Sequence, residues 1–158
     1  MCGLEINISE KQHQLIEQLG VLFERKGMPP APARVIGVLL VANQTELSFD
    51  QIRKILKLSK SATSNAINSL LNTEYVDYIT KPGERKRYFT FKHEGWQEKI
   101  MKEMNNMGLM SDLFKEVLKQ RPGDTAEFNL KFKEIIEFTD FIKDKANELI
   151  AEWKKSKE

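Results

Sequence analysis

The stretch that most limits the fold lies between two short runs. Tyr75-Val-Asp-Tyr-Ile-Thr80 and Arg87-Tyr-Phe-Thr-Phe91 are rich in aromatic and β-branched residues, and they flank Lys81-Pro82-Gly83-Glu84. Such runs read as strands. Proline pre-sets the first central position of a tight turn, and glycine accepts the positive φ of the second. A β-hairpin with a basic tip and returning edge is therefore expected. Around it the apolar residues recur at helical spacing, so the expected fold class is mainly α with a small β-hairpin.

Ser9-Glu10-Lys11-Gln12 has the S-x-x-Q form of a capping box, and Leu15, Ile16, Leu19, Leu22 and Phe23 follow at helical intervals. Gly27, Pro29 and Pro30 end that helix. A second helix starts near Pro30 or Ala31 and carries the run Val35–Ala42 to about Asn43. Apolar on nearly every side, it reads as the centre of the core. Ser48-Phe49-Asp50-Gln51 repeats the capping pattern before a short helix with Ile52, Ile55 and Leu56. Ser59 can cap the next helix, over about Lys60 to Asn72.

From Glu94 the pattern is helical to the end. Trp96, Ile100, Met104, Met107, Phe114 and Leu118 form one stripe, and Gly108 predicts a bend in it. Core packing is the expected role of Met101, Met104, Met107 and Met110. Gln120-Arg-Pro-Gly123 breaks the helix, and Asp124-Thr-Ala-Glu127 offers a new cap. Phe128, Phe132, Ile135, Thr139, Ile142, Ala146, Leu149 and Trp153 are then spaced 4, 3, 4, 3, 4, 3, 4. That is a heptad seam. So much apolar surface on a terminal helix points to a second copy of the chain, with Phe128, Phe132, Ile135, Ile142, Leu149 and Trp153 as the dimerisation residues. Which faces serve the dimer and which the intrachain core stays open.

Three helices and then a two-stranded hairpin over residues 30–91 make a winged helix-turn-helix order. The 60–72 helix tests that reading. Thr63, Ile67, Leu70 and Leu71 fall on one side, and Ser61, Ser64, Asn65, Asn68 and Asn72 on the other. A merely solvated helix would carry Glu and Lys pairs there. Short hydrogen-bonding side chains without a carboxylate suit a helix in a major groove, where Asn pairs with adenine and Ser donates or accepts. Lys60, at the helix start, would face phosphate. In the hairpin, Arg85 is expected in a minor groove, Lys81 and Lys86 near phosphates, and Arg87 at the wing base.

Charge supports the same region. Residues 50–92 hold nine Lys and Arg against four acids, net +5, in a chain of net charge +2. The positive charge is local, as binding to a polyanion requires.

Gly27-Met-Pro-Pro-Ala-Pro-Ala-Arg34, Leu58-Ser-Lys-Ser-Ala-Thr-Ser64 and Pro82-Gly-Glu-Arg-Lys-Arg-Tyr88 carry a family resemblance. Residues 27–91 resemble the DNA-binding part of the MarR superfamily, and specifically its GbsR-like branch. The resemblance implies a homodimeric transcriptional regulator whose terminal helices form the dimer and whose winged domains read two half-sites. It implies an N-terminal supporting or dimerisation helix over 1–28, a winged helix-turn-helix domain over 29–92 and a C-terminal helical dimerisation region over 93–158. Ser61, Ser64, Asn65 and Asn68 are carried over as groove-facing, and Arg85 as the wing residue. The sequence departs from the family at Thr63, where a larger aliphatic residue is frequent, which predicts looser packing under the helix.

The expected function is sequence-specific binding of double-stranded DNA by a homodimer, in the manner of a repressor. The alternative is a winged-helix protein-interaction module that does not read DNA. It would require exposed apolar residues on the 60–72 helix and no basic wing. Enzymatic activity is not expected, because no acid, base or nucleophile cluster is apparent. His13 and His93 stand far apart, and the lone Cys2 can form neither an internal disulfide nor a Cys-rich zinc site, so no metal or cofactor is expected. An unidentified small-molecule effector remains a partner class. No apolar run nears the roughly 18 residues of a membrane span. No signal-peptide pattern opens the chain, so a cytoplasmic protein without a membrane partner is expected.

Overall fold

The computed structural model describes residues 6–157, and Cys2 lies outside them. Two compact units divide the chain, one ending at Glu94 and the other beginning at Gly95.

In the first unit the order is α1 (Glu10–Arg25), α2 (Pro30–Val41), β1 (Leu47–Ser48), α3 (Phe49–Leu56), α4 (Lys60–Asn72), β2 (Val76–Thr80) and β3 (Arg87–Phe91). Three serines start helices as their spacing predicts. Ser9 Oγ accepts from Gln12 N at 3.2 Å, Ser48 Oγ from Gln51 N at 3.3 Å and Ser59 Oγ from Ala62 N at 3.1 Å. Gln12 and Gln51 return the bond to the backbone N–H of Ser9 and Ser48, completing two capping boxes. Pro30 at the start of α2 costs no hydrogen bond, since that N–H lacks a helical partner anyway.

The core is built around α2. Ala33, Val35, Ile36 and Val38 are fully buried, with Ile16, Leu47, Ile52, Ile67, Leu70 and Phe89 around them. α1 crosses α2 closely at Gly37, where an added Cβ would lie 3.1 Å from the Ile16 carbonyl oxygen. Arg34 on α2 ties the crossing together by ion pairs to Glu17 and Glu24 on α1. Those carboxylates hold the guanidinium pKa above its ordinary value.

The hairpin forms between the two expected runs, with Tyr78 opposite Phe89 and Thr80 opposite Arg87. A third strand was not expected. β1 pairs antiparallel with β3, Leu47 opposite Phe89 and Ser48 opposite Tyr88, giving the sheet order β1-β3-β2. Two residues that also begin a helix cap are too short to show a strand period.

Thr63 corrects another expectation. It is fully buried, and its Oγ1 donates to the Ser59 carbonyl at 2.9 Å. With its hydroxyl satisfied inside the helix, the rest of the side chain packs as an apolar group.

The second unit pairs α5 (Trp96–Gln120) with α6 (Ala126–Lys155), joined by a 3₁₀ turn over Gly123–Thr125. α5 continues through Gly108 as one helix. The glycine serves close approach: an added Cβ would lie 2.8 Å from Lys143 Cδ. The anticipated Asp124 cap does not form, because the first residues of that segment take the 3₁₀ turn. Thr125 Oγ1 and Asn129 Nδ2 donate to the Pro122 carbonyl instead, each at 3.0 Å. The methionines are not core residues. Met101, Met104 and Met107 are half-buried and Met110 is exposed, since a pair of helices encloses only a narrow strip. Within that strip Ser111 is fully buried and donates to Asp140 Oδ1 at 2.7 Å. Lys115 Nζ lies 2.8 Å from Asp140 Oδ2.

Candidate nucleic-acid interface

α4 is two-faced because its polar and apolar residues alternate at the helical period. Thr63, Ala66, Ile67 and Leu70 are buried against the core. Lys60, Ser61, Asn65 and Asn68 are exposed, and Ser64 is half-buried. Ser61 Oγ lies 3.1 Å from Ser59 Oγ beside the helix start. The exposed face thus presents hydroxyls and amides with no carboxylate and no large apolar group.

The wing turn closes as its residues dictate. Glu84 N donates to the Lys81 carbonyl at 3.0 Å, with Gly83 at φ +80°. Its four cations then separate into two pairs. Arg87 lies over the Tyr78 ring, 4.6 Å from its centroid, at the wing base. Lys81 meets Glu46 at 2.5 Å and lies 4.3 Å above the Tyr88 ring. The Glu46 carboxylate raises the Lys81 pKa. Tyr88 donates its hydroxyl to Glu84, which raises the phenol pKa. Arg85 and Lys86 are exposed and have no ion-pair partner among the described residues.

A groove of about 280 Å³ runs between α4 and the wing, with Ser64 and Asn68 on one side and Lys86 and Arg87 on the other. The fold therefore brings Ser64 and Asn68 of the helix face together with Lys86 and Arg87 of the wing, whereas Lys60, Ser61, Asn65, Lys81 and Arg85 do not line this groove. Asp50, at the start of α3, also lines this groove. Lys54 and Lys57 stand exposed just before α4, Lys57 in the left-handed conformation at φ +52°. In the sequence these three stand only as charge, with no contact assigned to them. The spacing of Lys54, Lys57 and Lys60, every third residue, was the available signal.

The proposed dimer residues occupy the second unit. Phe128, Ile135, Leu149 and Trp153 are exposed, whereas Phe132 and Ile142 are half-buried. Phe132 packs on Phe114 of the same hairpin at 4.9 Å between centroids. Trp96 meets Trp153 edge to face at 5.5 Å, bordering an apolar cleft of about 540 Å³ with Ile100 and Leu149. No cluster of three or more metal-ligating side chains occurs among the described residues.

Comparison with known proteins bears on the first unit most directly. The model of the MarR family matches residues 26–87. The HTH-type transcriptional regulator MmpR5 of Mycobacterium tuberculosis (strain ATCC 25618 / H37Rv) is 23% identical over 111 residues, covering 70% of this chain. The chain spans 65% of the length of that relative. A solved crystal structure of a transcriptional regulator superposes with a TM-score of 0.64 at 18% identity, over 92% of this chain and 99% of that one. That likeness shows a shared fold.

Proposed function

We propose that this chain, a MarR-like winged-helix protein whose residues 26–87 match the MarR family, is a sequence-specific regulator of transcription that binds double-stranded DNA. One observation carries the reading: the Ser and Asn face of α4 stands beside a wing whose Arg85 and Lys86 are exposed and unpaired. Asn65 and Asn68 have the donors and acceptors to read adenine, and Ser61 and Ser64 are short enough to let the helix sit deep. Lys60 and Lys86 supply phosphate contacts, and Arg85 the minor-groove contact. The protein-interaction alternative is disfavoured by the same face, which offers a partner protein no apolar anchor.

The chain acts as a homodimer in this reading, because α5 and α6 leave large apolar side chains exposed. A two-fold dimer implies a pseudo-palindromic site with half-sites about 34–36 Å apart. Occupancy of such a site represses by exclusion. The Trp96–Trp153 cleft supports effector response, being of a size that takes small ligands. The stretches Gly27–Arg34, Leu58–Ser64 and Pro82–Tyr88 support the GbsR-like branch. Cytoplasmic residence accords with this role; no helix among the described residues is long and apolar enough to cross a membrane.

The test is the salt dependence of duplex DNA binding, read by fluorescence anisotropy. For the unaltered chain log K is expected to fall with log salt by about 0.9 per neutralised phosphate. The variant carrying Arg85→Ala and Lys86→Ala is expected to show a slope shallower by about one to two. No binding at low salt by the unaltered chain would overturn the proposal.

A further inference from the structure

The wing has four cations, and one of them is already neutralised from within the chain. Glu46 directly precedes β1, and Lys81 directly follows β2. β3 lies between those two strands, with Ser48 of β1 and Ile79 of β2 both opposite Tyr88. The ion pair therefore spans the middle strand. The Lys81 ammonium stands over the ring of Tyr88, with the Glu46 carboxylate at 2.5 Å. Both side chains keep contact with solvent, at 42% and 26% relative exposure, so nearby DNA could reach the ammonium. The carboxylate also raises the pKa of the ammonium.

A cation strengthens binding to DNA by displacing counterions condensed on a phosphate. For Lys81 that exchange requires breaking the contact with Glu46 and leaving a bare carboxylate beside the DNA backbone. Arg85 and Lys86 carry no such penalty. A phosphate-binding cation strengthens binding to every sequence alike, so each one raises the background against which a site must be found.

Resting on the DNA-binding reading above, we propose that Glu46 is a specificity-determining residue: it holds Lys81 as an internal substitute for a DNA phosphate and so keeps down sequence-independent affinity. Discrimination is thereby left to α4 and to the wing tip. Glu46 touches no DNA in this role. It acts through Lys81.

Anisotropy titrations on a random-sequence duplex, repeated over a range of salt, test this. Glu46→Gln is expected to bind several-fold more tightly at low salt, with a log K against log salt slope steeper by about 0.9. Lys81→Met, which keeps an apolar chain over Tyr88, is expected to leave the slope unchanged. The double variant is expected to return to the slope of the unaltered chain. Glu46→Ala serves as a second carboxylate deletion, and thermal melts identify variants that keep the fold. A pair that merely braces the wing predicts weaker binding from both single variants. That outcome would overturn the inference. So would a Lys81→Met slope shallower by about 0.9, which would put Lys81 on a phosphate in the unaltered chain. If the unaltered chain fails to bind at low salt, the DNA-binding reading falls and takes this inference with it. Failure of the variants alone overturns only the role of Glu46.

Discussion

Ile36 and Leu113 carry similar amounts of hydrocarbon to opposite ends. Ile36 lies on α2, ringed by α1, α3, α4 and β3, and is fully buried. Leu113 lies on α5, whose packing partner in its unit is α6 alone, and remains 67% exposed, like Leu109 at 65% and Phe138 at 66%. A helix enclosed by several elements can bury side chains on every face. In a helical pair each member buries one strip, and here the buried residues are Gly108, Ser111 and Thr139, small or polar, with Ile136 as the one large apolar side chain among them. The first unit has the core of a self-sufficient fold. The second leaves large apolar side chains exposed, and in the proposed homodimer its stability should depend on protein concentration whereas that of the first should not.

The largest test of that contrast deletes core from the first unit. Ile36→Ala is expected to cost about 2–5 kcal/mol, because the packed surroundings cannot collapse into the cavity. Urea unfolding followed by circular dichroism should show that loss unchanged over a wide range of protein concentration. The corresponding change in the second unit should behave differently. Leu149→Ala, or Ile135→Ala, is expected to weaken association by about 1.5–3 kcal/mol if the side chain is fully covered in the dimer. Analytical ultracentrifugation would show it as a dissociation constant raised at least tenfold. Unchanged association in both variants would remove these residues from the interface.

The same contrast governs what could be read from the sequence. Local chemistry was legible: three serine caps, the Pro-Gly turn and the two-faced α4 each follow from residues within one or two helical turns. Features set by distant partners were not. β1 exists because Leu47 and Ser48 meet β3, and the ion pair of Lys81 with Glu46 forms across the same sheet. Thr63 suggested loose packing by residue type, yet its own helix satisfies its hydroxyl. In the second unit the apolar period was plain. It could not say which stripe stays inside the chain, since Phe132 turns to Phe114 while Leu149 remains outside.

Two glycines sharpen the comparison at smaller scale. Both sit in mid-helix, where alanine is intrinsically favoured by up to about 1 kcal/mol. At Gly37 an alanine Cβ would press on the backbone carbonyl of Ile16 at 3.1 Å, and neither helix can yield without disturbing the core. Gly37→Ala is therefore expected to destabilise by about 1–3 kcal/mol. At Gly108 the obstacle is the flexible end of Lys143, its Cδ at 2.8 Å, which can swing into solvent. Gly108→Ala is expected to be neutral, or to stabilise by up to about 1 kcal/mol. Thermal melts should show a lowered midpoint for Gly37→Ala and an unchanged or raised one for Gly108→Ala, and a loss at Gly108 comparable to that at Gly37 would mean that the second unit is packed as tightly as the first.

The smallest effect expected is a pH dependence confined to the second unit. Hydrogen bonds from Lys115 and then Ser111 favour the ionised Asp140 carboxylate, lowering its pKa from the ordinary value of 3.8. A carboxylate with a lower pKa in the folded state binds fewer protons there than in the unfolded chain. Its contribution is therefore complete above the ordinary carboxylate range and is lost as pH falls through the lowered value. Asp140 is only half-buried, so solvent screens the pair and the contribution is small. Acidification below pH ~4 should destabilise the α5–α6 hairpin more in the unaltered chain than in Asp140→Asn, which keeps an acceptor for Ser111 but has no charge to lose. Melting of the two proteins at neutral pH and across the acid range measures the difference. If Asp140→Asn shows the same acid sensitivity as the unaltered chain, the lowered carboxylate contributes nothing to the stability of the hairpin.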